Sequence, residues 1–144
     1  MSFFKSMDIS ASGLAAQRVR MNILSTNLAN AQTTRTPEGG PYRRQDVVFS
    51  AVPTGNAFED FLGDTYGTQI SKVKVQDIHK DGREPRMVFD PTHADANAEG
   101  YVAMPNVQIM TEMVNMIAAT RAYEANATAM NSAKDMASKA LEIG

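Results

Sequence analysis

The strongest constraint on the fold is an uninterrupted apolar repeat in the C-terminal part of the 144-residue chain. After Pro105, neither glycine nor proline occurs before Gly144. Within that stretch, ten positions follow one another at alternating spacings of four and three residues, the period of one helix face, and eight of them carry apolar or aromatic side chains. We therefore predict one long amphipathic helix over residues 107–144. Its repeat positions are Ile109, Met113, Met116, Thr120, Tyr123, Ala127, Met130, Lys134, Ala137 and Leu141.

A second helix is predicted near the N-terminus, from Asp8 to about Ala31. Its apolar residues follow one another at heptad-like spacings, which indicates a stripe that packs against another helix. Pro37 and the Gly39-Gly40-Pro41 segment then end any helix. The apolar positions along this stripe are Leu14, Met21, Leu24 and Leu28.

Strand-like segments occupy the middle of the chain. Residues 69–78 include an alternation of apolar and polar side chains, as in a half-buried strand. The Asp81-Gly82 turn signal follows, and residues 87–89 are a short apolar run. We therefore predict a β-hairpin over about residues 70–90.

Shorter segments of the middle region give weaker signals. Residues 47–49 are strand-like and residues 101–104 are extended before Pro105. Residues 50–67 contain Pro53 and three glycines with few β-branched side chains, so we predict a flexible loop there.

These elements predict an α+β fold, with two long terminal helices forming a coiled-coil-like pair and a small β-hairpin and loop domain between them. The predicted division is residues 1–33, an N-terminal helix and assembly core; 34–106, the middle domain; and 107–144, a C-terminal helix and assembly core. At about 1.5 Å per residue, the C-terminal helix exceeds its partner by about 20 Å. We therefore expect part of its apolar surface to contact other chains.

Composition excludes several classes of function. The chain has no cysteine, so disulfides, zinc thiolate sites and cysteine nucleophiles are ruled out. A formal net charge of −2 argues against holding nucleic acid through a broad basic field. No apolar run approaches the roughly 20 residues that span a bilayer, so we expect no membrane-spanning segment.

We expect no enzymatic activity, no cofactor and no metal site. A cluster of His93 with Asp90 and Asp95 is conceivable, but its spacing matches no zinc or calcium pattern. Two alternatives to a structural role stay open at this point. One is a helical adaptor or chaperone-like binding module, and the other is a metal-dependent hydrolase that uses His93 and Asp90.

The two ends of the chain resemble the paired terminal motifs of the flagellar rod and hook family. The N-terminal resemblance lies in residues 7–18 and 27–34, and the C-terminal one in residues 107–116 and 121–126. The short length and the middle segments, including residues 90–95, narrow the resemblance to the proximal rod proteins of that family. One departure is Ala94, where the family pattern leads us to expect proline.

The resemblance implies a structural subunit of the bacterial flagellar basal body. Such subunits would stack helically into the torque-transmitting rod in the periplasm, with the terminal helices inside. Export would use the flagellar type III route without a cleavable signal peptide. The implied partners are other rod proteins and copies of the chain itself, with the surrounding rings and the export apparatus as further candidates.

The same resemblance directs attention to two sets of residues on the helices. The polar contacts expected between subunits involve Asn27, Asn30, Arg121 and Glu124. The apolar positions expected to pack within or between subunits are Leu14, Met21, Leu24, Leu28, Ile109, Met113, Met116, Tyr123 and Met130.

Overall fold

The computed structural model describes residues 3–54 and 70–143, with the backbone alone considered at Ile143. The order of elements is helix, four strands, helix. Their bounds are α1 Phe3–Ala29, β1 Gln45–Pro53, β2 Ser71–Lys80, β3 Arg86–Phe89, β4 Tyr101–Met104 and α2 Ile109–Ile143. The α+β architecture predicted from the sequence is confirmed: two long terminal helices are in contact, with small antiparallel hairpins between them.

The two terminal helices run antiparallel. Asn27 near the end of α1 meets Glu112 at the start of α2, Met21 meets Thr120, and Gly13 lies against Asn126. Because α1 has 27 residues and α2 has 35, their lengths are about 40 Å and 52 Å. The unmatched part of α2 is therefore about 12 Å rather than about 20 Å, since α1 starts at Phe3 and not at Asp8.

The predicted hairpin over residues 70–90 is wrong. β2 pairs antiparallel with β1, from Gln45 opposite Lys80 to Pro53 opposite Ser71, with a bulge after Val48. The Asp81 N–H extends this pairing by donating to the Arg44 carbonyl at 2.8 Å, so the chain does not turn back at Gly82. Strand-like sequence indicates a strand but not its partner, which depends on long-range packing.

β3 pairs instead with β4, from Arg86 opposite Met104 to Phe89 opposite Tyr101. The connecting loop closes through the Asp90 N–H, which donates to the Gly100 carbonyl at 2.9 Å. Gly100 has a φ of 82°, a conformation that a side chain would strain. The short extended piece at residues 101–104 is therefore the returning strand of this second hairpin.

The predicted loop over residues 50–67 is wrong at its start, because residues 50–53 belong to β1 and pair with the first residues of β2. Pro53 is tolerated there since it is the last residue of the strand. Residue 54 is described outside the strands, and residues 55–67 lie outside the described part of the chain.

Small side chains let the helices approach closely. The fully buried apolar residues on α1 and α2 within the described chain are Leu24 and three alanines: Ala16, Ala119 and Ala133. A methyl group at Gly13 would come within 2.9 Å of the Asn126 amide oxygen, so the Asn126 side chain would have to shift to make room for it.

The two-stranded sheet formed by β1 and β2, called here the β1–β2 ribbon, lies along α1. The Val73 N–H on β2 donates to the Ser12 hydroxyl at 3.2 Å, and Lys72 forms an ion pair with Asp8. These contacts attach the ribbon to the N-terminal helix.

Candidate functional site

The site of interest in this molecule is the helix pair itself, with its exposed apolar surfaces and its buried polar contacts. On α1, Leu24 is buried and the other three apolar positions named from the sequence, Leu14, Met21 and Leu28, are partly buried. The Met21 sulfur accepts a hydrogen bond from the Thr120 hydroxyl at 3.6 Å. The α1 stripe therefore faces α2 within the same chain.

The α2 positions named from the sequence divide between the two sides of the helix. Met116 and Met130 are partly buried, while Ile109, Met113 and Tyr123 are exposed. The reason is a rotation of the helix relative to the predicted stripe, since α2 turns Glu112, Ala119 and Ala133 toward the core.

This rotation leaves an exposed surface at the start of α2, called here the α2 apolar patch. Its side chains recur on one helix face and are between 43% and 73% exposed. Contiguous apolar surface of this kind marks interaction sites on soluble proteins. The patch consists of Ile109, Met110, Met113, Val114 and Ile117.

A second apolar surface lies at the opposite end of the helix pair, called here the distal cleft. It is an open groove of about 640 Å³ between the start of α1 and the end of α2, in which Leu141 is 83% exposed. Sequence reasoning missed its α1 side because the predicted helix began at Asp8. The lining residues are Phe3, Phe4, Ser6, Ala133, Met136, Ala137, Ala140 and Leu141.

Two of the four polar residues named from the sequence are exposed, namely Arg121 and Glu124. Asn30 is partly buried and ends α1: its amide donates to the Thr26 carbonyl at 2.9 Å, and its oxygen accepts from the Thr33 hydroxyl at 3.1 Å. Asn27, the fourth, is fully buried inside the chain.

Asn27 is the centre of a buried polar cluster. Its amide nitrogen donates to the Gln45 carbonyl at 2.8 Å and to Glu112 Oε2 at 3.0 Å. Its oxygen accepts from the Tyr42 hydroxyl and from the Gln45 N–H, both at 2.9 Å. Both donors and both acceptor positions of this amide are therefore used.

Glu112 supplies the negative charge of the cluster. Glu112 is 1% exposed, and its second carboxylate oxygen, Oε1, accepts a hydrogen bond from Arg44 Nε at 2.6 Å. Arg44 is itself partly buried and also donates to Asp46 at 3.2 Å. Burial lowers the pKa of the Arg44 guanidinium, but the hydrogen bonds to Glu112 and Asp46 outweigh that effect and raise it. Burial, followed by the charge of Glu112, raises the pKa of the Tyr42 hydroxyl.

Sequence reasoning identified Asn27 but missed Glu112, Arg44 and Tyr42. The available signal was a single acid at position 112, in the middle of the most apolar segment of the chain. A charge in such a position is rarely buried unless it is paired. Its partner lies 68 residues away in sequence, so spacing alone could not identify it.

The histidine loop considered for metal binding is closed by its own hydrogen bonds. His93 Nδ1 accepts from the Asp95 N–H at 3.1 Å, and the Thr92 hydroxyl and N–H donate to the Asp90 carboxylate. The Thr92 bonds hold the pKa of Asp90 below its ordinary value. Among residues 3–54 and 70–143, no group of three or more His, Cys, Asp or Glu side chains is placed to hold a metal ion.

Neither of the two described helices has a stretch apolar and long enough to cross a bilayer.

Comparisons with known proteins match the chain from end to end. Residues 7–35 match the family described as flagella basal body rod protein, and residues 98–143 match the family described as flagellar basal body rod FlgEFG protein C-terminal. The chain is 48% identical to the flagellar basal-body rod protein FlgC of Bacillus subtilis, over 100% of this chain and 99% of that protein. It is 42% identical to FlgC of Borreliella burgdorferi, over 99% of this chain and 98% of that protein. For FlgC of Escherichia coli O157:H7, identity is 38% over 100% of this chain and 99% of that protein.

Proposed function

The chain belongs to the FlgC family of flagellar basal-body rod proteins, and on that premise we propose that it polymerises helically through its terminal helices into the torque-transmitting proximal rod. It is a structural rod subunit, and its family is structural rather than enzymatic. As a rod protein of the basal body, the chain assembles with other rod proteins, and we propose that copies of the chain itself are also partners. The surrounding rings and the export apparatus are further proposed neighbours.

The observation that carries the proposal is the placement of apolar surface at both ends of the helix pair. The α2 apolar patch and the distal cleft lie about the length of α1 apart on one rod-like body. Complete burial of a fully exposed large apolar side chain contributes about 1.5–3 kcal/mol, and side chains that are 43–73% exposed would contribute roughly half of that. Contacts between different surfaces of successive subunits, if they do not close into a ring, generate a helical filament.

The proposed assembly cores are residues 1–33 and 107–144, and residues 34–106 form the proposed middle domain. Within the cores, six of the named apolar side chains are partly or fully buried in the helix pair, and their packing determines the shape of its surface. They are Leu14, Met21, Leu24, Leu28, Met116 and Met130. Ile109, Met113 and Tyr123 are exposed and available to a neighbouring subunit. Arg121 and Glu124 are exposed beside them and are proposed to make polar contacts between subunits.

The proposed location is the periplasmic part of the basal-body rod, reached through the flagellar type III export route without cleavage of a signal peptide. The composition supports this route, because a chain without cysteine forms no disulfide that would obstruct threading in an unfolded state.

A matched pair of substitutions tests the assembly proposal. Met113→Asp places a charge on the α2 apolar patch, and Met87→Asp places the same charge on exposed β3, outside both helices. Because both methionines are exposed, at 46% and 53%, neither change buries a charge in the isolated chain. We expect Met113→Asp to abolish rod assembly and swimming, and Met87→Asp to retain both.

Rod assembly is measured by purifying basal bodies from cells that carry each variant as their sole copy. Circular dichroism of the purified variants provides the folding control, since both are expected to keep the helicity of the native chain. Normal rods in the Met113→Asp strain would show that the α2 apolar patch is not an assembly surface.

A further inference from the structure

We propose that the buried cluster of Asn27, Glu112, Arg44 and Tyr42 sets the register of the helix pair and fixes the β1–β2 ribbon to it at one point. These four side chains act as positioning residues. They come from the end of α1, the segment before β1 and the start of α2, and so join three separate parts of the fold.

The fully buried part of the helix contact outside the cluster consists mostly of small side chains. Its buried positions are Ser10, Ala16, Leu24, Ala119 and Ala133, with Gly13 against Asn126, whereas the larger side chains in the contact are only partly buried: Leu14, Met21, Leu28, Met116 and Met130. Alanine and glycine form smooth surfaces that tolerate sliding, whereas interdigitating large side chains fix an alignment. The apolar contact therefore selects one register less strongly than a fully hydrogen-bonded buried cluster can.

The polar cluster can supply it because its hydrogen bonds are satisfied in a single alignment. All four bonding positions of the Asn27 amide are used, and both oxygens of Glu112 accept a hydrogen bond. Moving α2 by one residue rotates Glu112 by about 100°, and moving it by one turn shifts it by about 5.4 Å. Either movement would leave a buried carboxylate and a buried amide without partners, which is strongly disfavoured.

The same cluster holds the ribbon. Gln45, the first residue of β1, binds Asn27 through both its N–H and its carbonyl. The carbonyl of Arg44 accepts from the Asp81 N–H just after β2, while the Arg44 side chain reaches Glu112 and Asp46. The start of β1 and the end of β2 lie opposite each other, so the cluster holds both strands at the same end of the ribbon.

A buried ion pair often adds little stability relative to apolar side chains of similar size, and its best-attested benefit is the selection of one arrangement. The expected effect of removing the cluster is therefore a loss of uniqueness rather than a loss of helix. This distinguishes a positioning role from a general contribution to stability.

The absence of native cysteine allows a direct test with pairs of spin labels on the full, unassembled chain. Cysteines at the exposed positions Arg18 and Ser138 report the distance along the helix pair. Cysteines at exposed Lys74 and at Ser138 report the position of the ribbon. In the native background, each pair should give one narrow distance distribution by pulsed electron resonance.

In the Asn27→Leu, Glu112→Leu double variant we expect retained helicity and a second distance displaced by about one helical turn, roughly 5.4 Å. The matched control is Gln17→Leu, which removes a polar side chain from the same helix contact. The buried Gln17 side-chain oxygen has no hydrogen-bond partner within the described chain, so its loss breaks no bond of that oxygen. It should leave both distances narrow. Narrow, unshifted distances in the double variant, or broad ones in the native chain, would overturn the proposal.

If the double variant loses its helicity, Glu112→Gln decides the question. The glutamine has the same shape, but an NH2 donor replaces one of the two carboxylate oxygens. Because Asn27 and Arg44 donate to different oxygens of Glu112, one of these two donors would then face another donor. We expect it to fold and to broaden the distance between the Lys74 and Ser138 labels. A Glu112→Gln chain with native distances at both label pairs would overturn the proposal. Because the chain is unassembled, this outcome is independent of rod formation.

Discussion

At neighbouring positions 112 and 113, the charged side chain is buried and the apolar side chain is exposed, the reverse of what their chemistry predicts. Glu112 is 1% exposed inside the chain, and Met113 is 46% exposed on its surface. Glu112 is buried because it is paired with Arg44 and Asn27, whereas the apolar side chains of Met113 and Val114 lie on the exposed face of α2. At the scale of single residues, the buried polar cluster and the exposed apolar patch are two consequences of one helix rotation.

Tyr42 should make the stability of the cluster sensitive to alkaline pH. Burial, and then the charge of Glu112, raises the pKa of its hydroxyl above the ordinary value of 10.0. Its hydrogen bond to Asn27 therefore contributes fully below pH 10.0, and the contribution is lost as pH rises through the raised pKa of the folded state. We expect Tyr42→Phe to cost about 1 kcal/mol of unfolding free energy at neutral pH and progressively less above the ordinary tyrosine pKa.

The measurement for Tyr42 is urea unfolding of the native and Tyr42→Phe chains as a function of pH. Tyr123→Phe is the matched control, because Tyr123 is exposed on α2. A stability difference for Tyr42→Phe that is constant across alkaline pH would contradict the expectation.

Asp81 should give a corresponding acid dependence. The side-chain and backbone hydrogen bonds from Arg83 lower the pKa of Asp81 from 3.8 to about 2. Because the folded-state pKa is depressed, the stabilisation is fully present well above about pH 4 and is lost as pH falls through about 2. Asp81→Asn should therefore be less stable than the native chain at neutral pH, and the difference should shrink steadily between about pH 4 and pH 2 in acid titrations of unfolding free energy. A difference that stays constant over that range would exclude this ion pair as its source.

Among the elements, the helix pair is defined by close approach rather than by large side chains. Gly13 sits where α1 meets the Asn126 side chain of α2, and alanines occupy three of the four buried apolar positions on the described helices. This arrangement lets two long helices pack with little apolar volume, and it leaves most large apolar residues of α2 facing outward.

The spacing at Gly13 predicts a coupled pair of substitutions. In a helix interior, alanine is more favourable than glycine by about 0.5–1 kcal/mol, but here the added methyl group would push against the Asn126 amide. We expect Gly13→Ala to stabilise the Asn126→Ala background by about that amount and to stabilise the native background clearly less. Chemical unfolding of the four proteins in this cycle measures the coupling, and equal effects in both backgrounds would show that the two side chains do not compete for space.

Across the whole molecule, the β1–β2 ribbon depends on α1 for its attachment. It is held by Asn27 at one end and by Ser12 and Asp8 at the other. A two-stranded sheet is at best marginally stable alone in water, so its order should depend on the helix.

Removal of residues 1–30 should therefore unfold the ribbon as well as abolish the helix pair. Hydrogen exchange read by mass spectrometry should show loss of amide protection over residues 45–53 and 71–80 in the truncated chain. Peptides from residues 86–104 provide the internal comparison, because β3 and β4 pair with each other. Retained protection of the ribbon would mean that it folds without α1.

The sequence by itself determined the two terminal helices, the strand-like segments and the family. These signals are local, since helix period and strand alternation are set by the backbone geometry of neighbouring residues. Only the tertiary structure decided which strands pair, which face of α2 turns inward and which acid is buried. Those outcomes depend on contacts between residues far apart in the chain, such as Arg44 with Glu112 and Gln45 with Lys80. Their energies come from packing and charge pairing, which no local spacing encodes.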